Sequence, residues 1–459
     1  MNRPTTILKI TYTLLMAGGL LTSCSSDDDT VQTKVMEAGK TYTMTVTASK
    51  GNNEAAAIKT RALSLDGNTL SATWASGEQV FFRDRDWNIQ YRGFLEPQSE
   101  GKTVLLNGTI SSSATLVLPI DIKLIFPKKD WDYTGQVGTL SNIAANYDYA
   151  TTTAKITSIE DYRMDAYERV TFKNEQSIVK FTLKDNANAA VNVSSLRISA
   201  KGLVKNIDEP FDDEEFGDII VKPASATNEV FAALRGINGA QVTLTATVGS
   251  DYYIFKRDNV TFGNGTYRPI TVKMRKINYP VALAKVTEDH IGSVVGQNGY
   301  VYPNVSAAES AGTNAVAMIA YVGNESGCTH GLAIALTDEG EGNQETAKSA
   351  AASHTAVSGG TWRLPTIDDW QYMLIGCGNG AMYFNSTVFL DDIPDIVDYT
   401  ALNSKLGTVG TALHNDGNYW SSDNNYYCPL FSPNGDCKLS MADQEYGSLR
   451  AYVRAVLAF

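Results

Sequence analysis

The chain has 459 residues, too many for one ordinary core, and is expected to divide into two to four domains. Hydrophobic residues make up 43% of it and charged residues only 19%, with a formal net charge of −12. There is ample apolar material for folding, while nucleic acid is excluded as an expected partner because such surfaces rest on clustered Lys and Arg.

Arg3 and Lys9 form a basic start, and Ile10 to Leu21 is an apolar run too short, and too broken by Gly and Thr, to span a bilayer. It ends in Leu21-Thr22-Ser23-Cys24, small residues before a lone Cys. This is the pattern of a bacterial lipoprotein signal. Residues 1–24 are read as a processed leader and Cys24 as the lipid-bearing first mature residue, an ordinary secretory peptide or a membrane helix being the alternatives. Ser25-Ser26-Asp27-Asp28-Asp29 follows and resembles the export tag of Bacteroidetes surface lipoproteins. That implies a cell outer membrane location, surface-exposed, with attachment through the lipid alone. Residues 25–38 are polar and without period, which suits a flexible acidic linker.

Order is expected from about residue 39. Tyr42, Met44, Val46 and Ala48 alternate with Thr43, Thr45 and Thr47, the period of a half-buried strand. Thr60 to Trp74 has strand-like flanks about an Asp66-Gly67 turn, and Glu78–Phe82, Thr103–Leu106 and Thr115–Pro119 continue the pattern. These elements predict an all-β sandwich over residues 39–160. A second strand-rich block, residues 161–276, holds Val170, Phe172, Ile178–Leu183, Val193–Ile198, Leu244–Val248, Tyr252–Lys256 and Tyr267–Val272, with hairpin turns at Gly249-Ser250-Asp251 and Gly263-Asn264-Gly265. The acidic stretch Asp208–Asp218 is read as a solvated loop, its spacing matching no calcium loop.

The strand Tyr42–Ala48, the segment Thr60-Arg61-Ala62-Leu63 with Gly67-Asn68-Thr69-Leu70 and Trp74, the stretch Val170–Asn174 to Phe181-Thr182-Leu183, and the closing Gly265–Val272 together resemble the fimbrillin family of Bacteroidetes pili over residues 38–276. The resemblance implies two transthyretin-like β-sandwich domains behind a lipidated leader. It also implies assembly by strand exchange: a protease cuts after Arg61, leaving Ala62 as the new first residue, the first strand departs, and a partner strand fills the groove. Loss of Tyr42–Ala48 would expose unpaired backbone and an apolar slot that only another strand can satisfy.

From residue 277 the composition shifts toward Ala, Gly, Ser and Asn, and helices are expected at Asn343–His354, after Trp362-Arg363-Leu364-Pro365, and from Asp398 to Leu406. Thr366 and Asp369 have capping-box spacing, Ile367, Trp370 and Leu374 recur at helical intervals, and Gly376 and Gly378 are read as the stop. Trp362-Arg363-Leu364-Pro365-Thr366, Tyr419-Trp420-Ser421-Ser422 and Tyr452-Val453-Arg454-Ala455-Val456 resemble, in order and spacing, the C-type-lectin-like domains of bacterial surface proteins, including the Fibrobacter major paralogous type. The fold class is thus mainly β, two sandwiches followed by an α+β lectin-like domain at 277–459. Sugar-binding lectins of this fold use a Glu-Pro-Asn-like triplet and a Trp-Asn-Asp strand; here the strand reads Trp420-Ser421-Ser422-Asp423 and the triplet is missing. Trp362, Trp370 and Trp420 are expected in the core. A ligand-binding candidate is Asp423-Asn424-Asn425-Tyr426-Tyr427, which combines flat apolar faces with amide donors, a turn with buried Tyr being the alternative.

Beyond Cys24, the cysteines are Cys328, Cys377, Cys428 and Cys437, an even set in a chain bound for an oxidising compartment. Three connectivities exist, and Cys428–Cys437 with Cys328–Cys377 is preferred because Pro429, Pro433, Asn434 and Gly435 make a turn-rich loop. An activated thiol is not expected at Cys377, which falls at a helix C-terminus. The four His show no ligand spacing and no cofactor is expected, although Asp338–Asn343 could bind calcium through clustered oxygens. No His-Glu-x-x-His, Gly-x-Ser-x-Gly, P-loop or dinucleotide motif occurs, and an enzyme is not expected. Two functions remain. One is a minor, tip-located fimbrial subunit that receives a strand and, with about 180 residues of another domain at its C-terminal side, gives none, so that the lectin-like domain serves as adhesive head. The other is a non-polymerising surface lipoprotein that binds a glycan or protein.

Overall fold

The computed structural model describes residues 35–51, 62–66, 69–84, 89–127, 131–203, 216–378, 397–415, 417–423, 427–431, 436–441 and 451–459. The first unit is built from β1 (Val35–Met36), β2 (Thr41–Lys50), β3 (Ala62–Asp66), β4 (Thr69–Thr73), β5 (Val80–Phe82), β6 (Tyr91–Pro97), β7 (Thr103–Ser112), β8 (Leu116–Val117), β9 (Ile120–Phe126), β10 (Ala150–Glu160), β11 (Arg163–Ala166) and β12 (Val170–Asn174). Its main sheet runs β11-β10-β12-β2-β7-β6-β5-β9, and β9 pairs in turn with β10. The strands therefore close a circuit, where the sequence predicts two separate sheets. A register shift between Ile156 and Ile159 divides the long β10, so that its first half meets β9 and its second half meets β11.

Because β11 and β12 pair with β2, the boundary expected at 160/161 falls inside this sheet, and residues through Asn174 belong to the first unit. Its core gathers Met36, Met44, Val46, Trp74, Phe82, Leu95, Leu106, Leu124 and Phe172. The pair β3 and β4 forms a separate antiparallel ladder, from Ala62 opposite Thr73 to Asp66 opposite Thr69.

Residues between β9 and β10 turn away from that core. Helix α1 (Leu140–Asn146) is capped by Thr139, whose side chain accepts from Asn142 N, and Tyr133, Ile143, Tyr147 and Tyr149 pack into the core of the second unit. The Gln136 side chain fastens the segment, donating to Ala233 O at 2.9 Å and accepting from Ala233 N at 2.7 Å. This second unit stacks β13 (Gln176–Lys184), β16 (Glu229–Arg235) and β19 (Tyr267–Lys273) against β14 (Ser195–Lys201), β15 (Phe216–Val221), β17 (Ile237–Val248), β18 (Asp251–Phe262) and β20 (Arg275–Ile277). Two sheets with Ile178, Phe181, Leu196, Ile198, Leu234 and Leu244 between them make a sandwich.

The third unit is centred on a seven-stranded sheet in the order β21 (Val281–Ala282), β23 (Tyr300–Tyr302), β22 (Val294–Gly296), β24 (Ala315–Val322), β25 (Gly331–Ala335), β32 (Val456–Ala458) and β27 (Thr361–Arg363). Smaller pairings join β26 (Gly340–Gly342) to β31 (Ala451–Val453), and β28 (Val397–Asp398), β30 (Asp436–Met441) and β29 (Tyr427–Phe431) to one another. Helices α2 (Val305–Ser310), α3 (Gln344–Ala352), α4 (Ile367–Cys377) and α5 (Thr400–Gly407) complete it. The α4 capping box forms as expected between Thr366 and Asp369. Gly378 ends the helix with φ of 106°, but Gly376 lies inside it; a Cβ there would stand 2.3 Å from Ala320 O, so its role is to let α4 lie against β24. Among the described residues no helix is long and apolar enough to cross a membrane.

Candidate functional site

Alternation along β2 sends Tyr42, Met44, Val46 and Ala48 inward, where each is at most 3% exposed, and leaves Thr43, Thr45 and Thr47 outward. On one side the strand runs antiparallel to β7 from Thr41↔Ser111 to Ser49↔Thr103. On the other it runs parallel to β11, Thr43–Thr45 opposite Arg163–Asp165, and then to β12, Ala48–Lys50 opposite Val170–Phe172. Single bonds extend both ladders, Thr43 N to Tyr162 O at 2.9 Å and Gly51 N to Phe172 O at 3.1 Å. The strand is thus an interior member of its sheet, with neighbours on both sides and its inner face in the core.

Its covalent attachment is single. Between Lys50-Gly51 and Ala62, the first residue of β3, lie only residues 52–61, so a cut after Arg61 separates β1 and β2 from everything else in the chain. Arg61 and the lipidation candidate Cys24 lie outside the described residues.

The third unit places the expected site residues differently. Asn424, Asn425 and Tyr426 lie outside the described residues, and Tyr427 begins β29. Asp423 is engaged within the fold: its Oδ2 accepts from Ile367 N at 2.7 Å, the first residue of α4, where a negative charge meets the helix dipole, and its carbonyl accepts from Gln344 Nε2 at 3.0 Å. The segments Trp362–Thr366, Tyr419–Ser422 and Tyr452–Val456 brace one another, Ser422 N donating to Pro365 O at 2.8 Å and Trp420 N to Tyr452 O at 3.0 Å. Arg363 pairs with the fully buried Asp369, whose Oδ1 also accepts from Ser326 Oγ at 2.7 Å. Arg454, likewise buried, donates from Nε to Asp338 Oδ1 at 2.5 Å, from Nη1 to Ala335 O at 3.0 Å and from Nη2 to Thr411 O at 3.2 Å, while Tyr419 OH donates to Asp338 Oδ2 at 3.1 Å. Trp362, Trp370 and Trp420 are buried as expected. Glu339, within the stretch considered for calcium, accepts from His354 Nε2 at 2.6 Å and from Ala455 N at 3.0 Å.

The cysteine pairings require correction. Cys328 and Cys377 are both free and buried; burial raises both thiols, that of Cys377 to about 12, which leaves it an inert apolar side chain. In the β29–β30 ladder Cys428 stands opposite Ser440 and Cys437 opposite Phe431. The two are therefore three register positions apart, roughly 10 Å along the strands, beyond the Cα separation that a disulfide spans.

A cleft of about 810 Å³ lies between the second and third units, floored by the outer face of β14, β17 and β18 and walled by residues such as Asn304, Lys405 and Thr408. Its lining carries Arg197, Lys201, Lys222, Arg235, Lys256 and Lys405 against Asp218 and Asp289, a basic surface in an acidic chain. Lys256 donates to Glu288 O at 2.9 Å and Asn304 Nδ2 to Tyr252 OH at 3.0 Å, tying floor to wall. No composition or motif pointed to this cleft, because its charges come from strands far apart in sequence.

No protein-family model matches the chain, and no curated protein matches it. Among solved structures it is similar to a fimbrial protein from Bacteroides ovatus at 12% identity, covering 91% of this chain and 99% of that one, with a TM-score of 0.21. It is also similar to the shaft pilin SpaA from Lactobacillus rhamnosus GG at 11% identity, covering 52% and 100%, with a TM-score of 0.20.

Proposed function

We propose that this chain is a terminal pilus subunit: β1 and β2 are a temporary plug, cleavage after Arg61 frees them, and a strand from a neighbouring subunit takes the place of β2. The observation that carries this reading is the position of β2, an interior strand joined to its unit by one connection. Removing it leaves β7 on one side, and β11 with β12 on the other, with unpaired backbone groups, and opens the apolar core between them. A strand is the one ligand that satisfies both needs at once.

Donation is a different matter. The strand β32 lies between β25 and β27, and Phe459 O accepts from Thr329, His330 and Gly331 N, so this strand is committed to its own sheet. A subunit that receives a strand and keeps its own stands at one end of a fibre, and residues 277–459, lectin-like in this reading, then form the binding head. Lipid on Cys24 would deliver the precursor to the outer membrane surface. Replacing Arg61 with Ala is expected to leave the precursor uncut and to abolish its incorporation into surface fibres, read by immunoblot of sheared fibres; incorporation at the parental level would overturn the proposal.

The basic cleft favours a second reading, a surface lipoprotein that keeps its plug and holds an acidic glycan or peptide between its second and third units. Its size lies within the range of small-ligand sites. Under that reading Arg61 is an ordinary residue of a connecting segment.

A further inference from the structure

Lys50, the last residue of β2, is 3% exposed and ends in a pocket of unusual composition. Its Nζ donates to both carboxylate oxygens of Glu78 at 2.9 Å, stands 3.8 Å from Asp148 Oδ2, and lies 3.8 Å from the ring centroid of Phe126 and 4.4 Å from that of Trp74. The box is rigid. Trp74 meets Phe126 and Phe172 edge-on at 5.4 and 5.2 Å, Glu78 Oε2 also accepts from Ala75 N at 3.0 Å, and Asp148 Oδ1 accepts from Gln176 Nε2 at 3.4 Å.

Among the described residues, every wall of this pocket comes from sequence after Ala62, and the cation comes from the plug. When the plug leaves, two acidic side chains of low exposure and two aromatic faces lose the positive charge of Lys50 that joins them. An apolar residue entering there would seal the acids away from both water and a counter-charge, whereas an ammonium or guanidinium restores the ion pair and the cation–π contacts. We propose that the groove left by β2 contains a cation socket, so that the strand replacing β2 must carry Lys or Arg at the end that reaches Trp74, Glu78, Phe126 and Asp148, besides apolar residues at alternate positions. This rests on the strand replacement proposed above and adds the rule by which a partner strand is chosen. The socket works as a selectivity device, since a strand of the right alternation but without the charge is rejected. Burial pushes the Asp148 carboxyl up and Lys50 opposes the push.

The test uses the full mature chain with a site-specific protease sequence substituted into residues 52–60. After cutting, the plug is displaced in mild denaturant and fluorescent peptides of residues 41–50 are added, either native, with Lys50→Arg, or with Lys50→Met. The native and Arg peptides are expected to bind, and the Met peptide to bind more weakly by at least about 100-fold, as for a buried ion pair that loses one partner. The deficit should shrink to within about threefold when the protein carries Glu78→Gln with Asp148→Asn. Near-equal binding of the Met peptide to the unaltered groove would overturn the socket and leave strand replacement standing; failure of every peptide would overturn both. In the uncut chain Lys50→Met should lower the melting temperature, and Glu78→Gln with Asp148→Asn should restore most of the loss; an unchanged melting temperature for Lys50→Met would overturn the socket without any exchange.

Discussion

A chain lacking Thr41–Lys50 is expected to leave its first unit unfolded while the second and third units retain their structure. Tyr42, Met44 and Val46 are essentially fully buried, and at about 1.5–3 kcal/mol for each large apolar side chain their loss removes roughly 5–9 kcal/mol. That equals most or all of the roughly 5–15 kcal/mol by which a domain is stable. The lost pairing adds to it, since β2 spans nine register positions against β7 and six against β11 and β12. Hydrogen exchange is the measurement: β7, β11 and β12 should lose protection and β24 and β25 should keep theirs. Adding a peptide of residues 41–50 in trans should return protection to β7. Retained protection in the shortened chain, without peptide, would mean that the sheet closes over the gap and holds no slot.

The second large effect belongs to the third unit. Arg454→Met is expected to cost about 3–5 kcal/mol, the range for breaking a buried ion pair on one side. The residue is fully buried and holds Asp338, Ala335 O and Thr411 O together, while Asp338 also accepts from Tyr419. Without the guanidinium, Asp338 keeps Tyr419 and a half-exposed His414 at 3.4 Å, and two carbonyls lose their donor. Denaturant unfolding followed through Trp362, Trp370 and Trp420 should show an early transition for this unit alone, because the units have separate cores and need not melt together. A shift below about 1 kcal/mol, the scale of an exposed pair, would mean that the brace is solvated.

Local signals were legible in the sequence, and long-range ones were not. The alternation of Tyr42 to Ala48 is the burial pattern of β2, and Thr366 with Asp369 is the capping box of α4, because both depend on neighbours a few residues away. The closure of the first sheet was hidden, since it joins Arg163–Phe172 to a strand more than a hundred residues earlier. Lys50 escaped notice for the same reason. By periodicity it is a charged residue at a strand end, and Glu78, Asp148, Trp74 and Phe126, brought in by folding, make its burial favourable. The three segments Trp362–Thr366, Tyr419–Ser422 and Tyr452–Val456 were readable as a set but not as to purpose: Arg363 holds the buried Asp369, and the buried Arg454 holds the partly exposed Asp338. Counting cysteines suggested two disulfides, whereas strand register separates Cys428 from Cys437 and Cys328 and Cys377 are free, a matter of geometry that spacing does not encode.

The most direct test is the intact mass and N-terminal residue of this protein recovered from surface fibres. A product that begins at Ala62, lacks residues 41–50 and carries a foreign strand crosslinked to β7 and β12 is the expected result. A fibre-borne or surface form that begins at acylated Cys24 and keeps β2 as its only occupant of that slot would contradict it.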